Sequence, residues 1–128
     1  MNKDGSGRRK EPLAASQNDL AVREKMDTMD EPYRTMAFRL HEIIMATAPE
    51  LKPRLWYGMP GYAKAVNAPV LLFFRADEIY MTFGLTEKVK FHLEEGASHE
   101  LMPCAWFFTD LSKASEEKIA EIVLKAIR

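Results

Sequence analysis

Residues 69–74 read Pro-Val-Leu-Leu-Phe-Phe, a continuous apolar run of strand length. Such a run predicts a central β-strand covered on both faces. Arg75-Ala76-Asp77-Glu78 follows as a tight turn. Ile79-Tyr80-Met81-Thr82-Phe83 then alternates, which puts Ile79, Met81 and Phe83 on one face. The two runs predict a β-hairpin at the centre of the chain. Any fold must therefore cover that hairpin with the segments on either side.

Those segments change period. Tyr33, Met36, Ala37, Leu40, Ile44 and Thr47 recur at helical spacing, with Ile43 beside them. Asp30-Glu31-Pro32 places acid at the helix start and proline in its first turn, and Pro49 ends it. A shorter helix is expected from Asn18 or Asp19 to Met29, with Asn18 as cap. Further on, Tyr62–Val66 is expected as a short strand, residues 86–95 as a short helix capped by Thr86 and stopped by Gly96, and Cys104–Thr109 as a strand. A last helix is expected from Ser115, its N-cap, with Ile119, Ile122, Val123, Ala126 and Ile127 as the buried stripe. The fold class is α+β: one curved, mostly antiparallel sheet of four to five strands, flanked by N-terminal helices and a C-terminal helix. Residues 1–15 are expected to be a disordered tail, and residues 16–128 one domain.

The totals exclude several classes. A chain of 128 residues buries enough surface to fold without metal or disulfide, and its one cysteine, Cys104, cannot form an internal disulfide. The formal charge of −1 argues against a nucleic-acid partner. Arg8, Arg9 and Lys10 are the one basic run, read as a solvated tail. No apolar run approaches the ~18 residues of a membrane span, and the polar N-terminal stretch lacks a signal-peptide core. The cytoplasm is the expected compartment.

One stretch joins features that rarely coexist. Residues 55–64, LWYGMPGYAK, mix Trp56, Tyr57 and Tyr62 with Gly58, Pro60 and Gly61. Aromatic residues favour strands, whereas glycine and proline interrupt them. Met59 precedes proline and should be extended. Two readings are open. The stretch is a bulged edge strand turning into the 62–66 strand, or it is a recognition lip whose aromatic walls and bare backbone admit a small ligand or a peptide. The second reading makes Trp56, Tyr57, Gly58, Met59, Pro60, Gly61, Tyr62 and Trp106 the candidate ligand-binding residues.

Catalytic patterns are absent. Gly58-x-x-Gly61 lacks the length and the Lys-Ser/Thr of a phosphate loop. Glu94-Glu95 and Glu116-Glu117 adjoin in sequence, so on a helix they diverge by about 100°. Cys104 lies among apolar residues, which predicts a buried, inert thiol, with only His41, His92 and His99 as conceivable bases. The expectation is a non-enzymatic binding module. Phe38 and Met45 lie off the main stripe of the 33–47 helix. Either the 19–29 helix covers them, or they form an apolar patch and the interface of a homodimer.

Several motifs together resemble the YdhG-like family of small bacterial domains of unknown function. They are Arg39-Leu40-His41, Ala48-Pro49-Glu50-Leu51, Trp56-Tyr57-Gly58-Met59-Pro60-Gly61-Tyr62-Ala63-Lys64, Leu72-Phe73-Phe74, Thr82-Phe83-Gly84 and Ala114-Ser115-Glu116. The resemblance covers roughly residues 18–127. It departs after residue 95, where a Trp-Pro pair is replaced by Met102-Pro103 with Trp106 further on. It implies a sheet with flanking helices and no defined catalytic set. The wider frataxin-like (YjbR-like) grouping is described as intracellular iron chaperones, so iron is the one cofactor implied and iron handling is the alternative function. His92, Glu95 and His99 are the candidate ligands, although their spacing matches no compact metal motif. Scattered acids balanced by lysines read more simply as a solvated surface.

Overall fold

The computed structural model describes the backbone from residue 6 onward and the side chains from residue 16 onward. Three helices and five strands follow one another as α1 (Ser6–Asp27), α2 (Tyr33–Thr47), β1 (Lys52–Trp56), β2 (Met59–Ala63), β3 (Val70–Ala76), β4 (Met81–Leu85), β5 (Ala105–Phe108) and α3 (Lys113–Ala126). The strands form one open sheet in the order β1-β2-β3-β4-β5, and every neighbour is antiparallel. The α+β architecture expected from the sequence is the one observed. No described helix is long and apolar enough to cross a membrane.

The strand period explains the layering. Tyr62, Leu72, Phe74, Met81 and Phe83 are fully buried, and they share one hydrophobic cluster with Val22 and Met26 of α1, Leu40 and Ile44 of α2, and Ile119, Ile122 and Val123 of α3. All three helices therefore cover the same face. Successive residues point to opposite faces, so Phe73, Thr82, Gly84 and Phe107 belong to the other, outer face. A register shift between Tyr62 and Ala63 leaves Leu71 without a partner in β2, and Leu71 joins the core beside Leu72. This bulge, together with rings on the outer face, accounts for the unbroken apolar run. Among the described residues, helices cover only one face of the sheet, not both as a doubly covered strand would require.

On the outer face the Trp56 and Phe73 rings lie 5.1 Å apart, and those of Tyr80 and Phe107 lie 5.8 Å apart. The Phe73 ring rests on Gly84, where a Cβ would come within 2.6 Å of it. At Gly61 a Cβ would come within 2.9 Å of the Trp56 Cβ. Aromatic rings lying over strand glycines restore the packing those glycines lack.

Several boundaries differ from expectation. Helix α1 begins at Ser6 rather than at Asn18 or Asp19. Of the expected tail, residues 1–5 lie outside the described residues and residues 6–15 continue the helix. Pro32 precedes α2 instead of occupying its first turn. Glu31 supplies the missing cap: its carboxylate accepts the Thr35 N–H at 3.1 Å and the Thr35 hydroxyl at 2.8 Å. The cap of α3 is Ser112, whose hydroxyl accepts the Ser115 N–H at 3.2 Å, so Ser115 lies inside the helix. Ile79 sits in the β3–β4 turn and is exposed, and its carbonyl accepts the Tyr33 hydroxyl.

The helix expected at 86–95 does not form, and residues 86–104 make an irregular connection. The Thr86 N–H donates to the Leu71 carbonyl at 2.9 Å, and its hydroxyl donates to the Val70 carbonyl at 2.6 Å. Those bonds tie the segment to β3, and Val89 enters the core. Tertiary anchoring thus overrides a local helical preference.

The core holds one polar pair. His41 Nδ1 and the Tyr62 hydroxyl are 2.6 Å apart. Burial pushes the His41 imidazole below its ordinary range and the Tyr62 phenol well above its own. Both groups are therefore neutral at pH 7. Asp19, 3.9 Å from Nε2, favours the tautomer with its proton on Nε2, and in that tautomer the phenol donates to Nδ1. Asp19 is held in turn by Arg23 at 3.0 Å. At the surface, Arg39 grips Glu116 through two bonds of 2.9 and 2.7 Å and joins α2 to α3. These bonds hold the Glu116 carboxyl below the usual range.

Candidate functional site

Trp56 pairs with Met59, so β1 and β2 are joined by two residues only, Tyr57 and Gly58. Both have positive φ, 52° and 75°. That is the type I′ arrangement whose twist suits a hairpin. Glycine takes it without steric cost, whereas a bulky residue at positive φ is uncommon and strained. Asparagine or glycine is the ordinary occupant of the first position, yet the chain places a tyrosine there. Its side chain is 85% exposed. One edge meets Trp56, with centroids 4.8 Å apart and planes at 76°.

The mixture of glycine, proline and aromatics is thereby explained. The glycine at 58 serves the turn. Pro60 faces the helices and is fully buried, and Gly61 lets Trp56 lie against the sheet.

Beside this turn lies a cleft of about 970 Å³. Tyr57, Gly58, Met59 and Pro60 form one side. Met29, Asp30, Glu31 and Tyr33, from the α1–α2 junction, form a second, and Arg75 to Glu78 of the β3–β4 turn form a third. The Tyr33 hydroxyl, bound to the Ile79 carbonyl, ties the second side to the third. Four carboxylates (Asp30, Glu31, Asp77, Glu78) and two cations (Lys25, Arg75) line the cleft, for a net 2 − 4 = −2. Arg75 is engaged by Asp77. Glu31 is engaged by Thr35 and Arg34, chiefly by the Thr35 hydroxyl, which holds its carboxyl below the usual range. Asp30 and Glu78 have no ion-pair partner among the described residues.

The eight candidate residues do not form one site. Tyr57, Gly58, Met59 and Pro60 line the cleft. Trp56 and Gly61 belong to the outer face of the sheet. Tyr62 is completely buried and bonded to His41, so it is core rather than rim. Trp106 pairs with Phe83 across β4 and β5, faces the helices and stacks on the Phe83 ring at 6.0 Å. It borders a second cavity of about 450 Å³ between the 86–104 connection and α3. The strand period divides a contiguous stretch between two faces. Sequence reasoning missed Asp30, Tyr33 and Glu78, which reach the cleft from distant turns.

His92 and Glu95 border the second cavity, whereas His99 does not; its Nδ1 accepts the Leu101 N–H at 3.1 Å. No group of three or more His, Cys, Asp or Glu among the described residues is placed to share a metal ion. Cys104 is exposed, contrary to the buried thiol expected, because it precedes β5 at the sheet edge. Phe38 and Met45 are half-buried and pack against the core cluster.

Comparison with known proteins returns no match to a family model, a curated protein or a solved structure.

Proposed function

We propose that this chain is a non-catalytic binding module, and that its site is the cleft beside the Tyr57–Gly58 turn. The observation that carries this reading is Tyr57 itself. A bulky side chain at φ 52° is a standing cost to the fold, and its ring meets solvent over a cleft instead of the core. Strain of that kind is retained where the surrounding structure or a ligand uses it.

The lining favours a cationic ligand, either a small amine or a peptide with a lysine or arginine side chain. Asp30 and Glu78 have no ion-pair partner among the described residues, and the single unpaired cation of the lining, Lys25, balances only one of them. The Tyr33 and Tyr57 rings border the same space, and aromatic faces attract ammonium and guanidinium groups. Sequence resemblance to the YdhG-like family implies iron, through its wider frataxin-like grouping, and no organic ligand, so this reading stands on the cleft alone.

The test is a titration followed by tryptophan emission, since Trp56 touches Tyr57. A short lysine peptide should give a saturable change. The same peptide with norleucine in place of lysine should bind at least about tenfold more weakly, as loss of one charge-assisted hydrogen bond requires. Equal binding of the two peptides, or no saturable change with either, would contradict the proposal.

A further inference from the structure

Strands β4 and β5 are antiparallel neighbours, which two to five residues could join. The chain instead uses residues 86–104. Structureless connections of that length inside a compact fold are uncommon and usually functional. This one is anchored at its start by the Thr86 bonds to β3 and by Val89 in the core, and at its end by the Leu85 N–H, which donates to the Cys104 carbonyl at 2.7 Å. Between the anchors it forms one wall of the 450 Å³ cavity, and α3 forms the other. That volume lies within the range of small-molecule sites, about 300–1,000 Å³.

The cavity has an apolar interior and a charged rim. Leu85, Phe91, Trp106 and Ile122 supply the interior. Trp106 stacks on Phe83 yet is only partly buried, so part of its ring remains available. On the rim Lys118 is already tied to Glu121, at 3.4 Å. Lys90, Lys125, Glu94 and Glu95 also line it, and none has an ion-pair partner among the described residues. A ligand of single charge would answer half of this rim and leave the other half opposed.

We propose that this cavity binds a small zwitterion with an apolar or aromatic body. Its body lies on Trp106 and Phe91, its carboxylate faces Lys90 and Lys125, and its ammonium faces Glu94 and Glu95. The site is separate from the cleft at Tyr57, and neither reading depends on the other.

The experiment uses the full chain with Trp56→Phe, which leaves Trp106 as the only tryptophan of the two. L-phenylalanine, 3-phenylpropionate and phenethylamine share a ring and differ in charge. Phenylalanine should give a saturable change in Trp106 emission and bind at least about tenfold more tightly than either singly charged analogue. A Lys90→Glu, Lys125→Glu double variant should reduce phenylalanine to the level of phenethylamine. Both lysines are exposed, so the variant should keep the fold despite the reversed charge in the last turn of α3, and circular dichroism checks it. In the unsubstituted chain, amide shifts on adding phenylalanine should centre on Leu85, Phe91, Trp106 and Ile122. The proposal is overturned by no saturable response, by equal binding of the three compounds, by tighter binding of a single-charge analogue, or by shifts centred elsewhere.

Discussion

Three residues concentrate the physical decisions of this chain. Tyr57 holds a conformation that asparagine or glycine adopts at lower cost, so Tyr57→Asn should raise stability to urea by about 0.5–1 kcal/mol. The same change should weaken binding of the lysine peptide. A variant that is both more stable and a weaker binder is the signature expected of strain kept for function, and a destabilised variant would contradict it. Gly84 meets the Phe73 ring so closely that Gly84→Ala must displace the ring or the strand, at about 1–3 kcal/mol by chemical denaturation. An unchanged midpoint would show that the ring moves freely.

His41 gives the third prediction. Its folded-state pKa is lowered, by burial first and by Arg23 next, with Asp19 and Glu42 opposing. The unfolded chain therefore binds more protons in the window between the folded value and the ordinary 6.5. Stability contributed by neutral His41 is present above pH 6.5 and is lost as the pH falls through that window. Urea midpoints at pH 7.5 and 5.5 should differ in that direction, and the His41→Gln variant should flatten the difference. Tyr62→Phe leaves Nδ1 without its donor and should cost about 1–3 kcal/mol at pH 7.5.

At the scale of elements, the parts legible in the sequence were those whose period and ends are set locally. Helix α2 ends where expected because the apolar spacing is regular and Pro49 stops it, although it starts one residue later than expected, with Pro32 as its cap position. The β3–β4 hairpin was legible for the same reason, except at Ile79, which the turn claims. Strand β1 was not, because Lys-Pro-Arg-Leu-Trp shows no alternation and forms an edge strand through its pairing with β2 alone. The segment after β4 has helix-like composition, but the ties from Thr86 to β3 dominate. The start of α3 offers a direct test. Ser112→Ala removes the observed cap and should cost about 1 kcal/mol of stability, whereas Ser115→Ala should cost much less. Equal losses would return the cap to the position expected from sequence alone.

For the whole molecule, one sheet carries helices on a single face, and its turn end gathers three segments around a cleft. Half of that site was legible: Gly58 and Pro60 mark the turn, and Tyr57 is conspicuous beside them. The other half was not, because Asp30, Tyr33 and Glu78 carry no local signal: Asp30 and Tyr33 meet the turn only through the packing of α1 and α2 against the sheet, and Glu78 comes from the β3–β4 turn. From sequence alone Tyr62 and Trp106 read as rim residues, because face assignment requires the strand register, which the two-residue turn sets for Tyr62 and the β4–β5 pairing sets for Trp106. The most direct test of the central claim is an amide shift map recorded while a short lysine peptide is added at physiological salt. The account predicts changes grouped at Asp30–Tyr33, Tyr57–Met59 and Arg75–Glu78, and their loss in an Asp30→Asn, Glu78→Gln variant. Changes scattered over the surface, or a map indifferent to that variant, would contradict it.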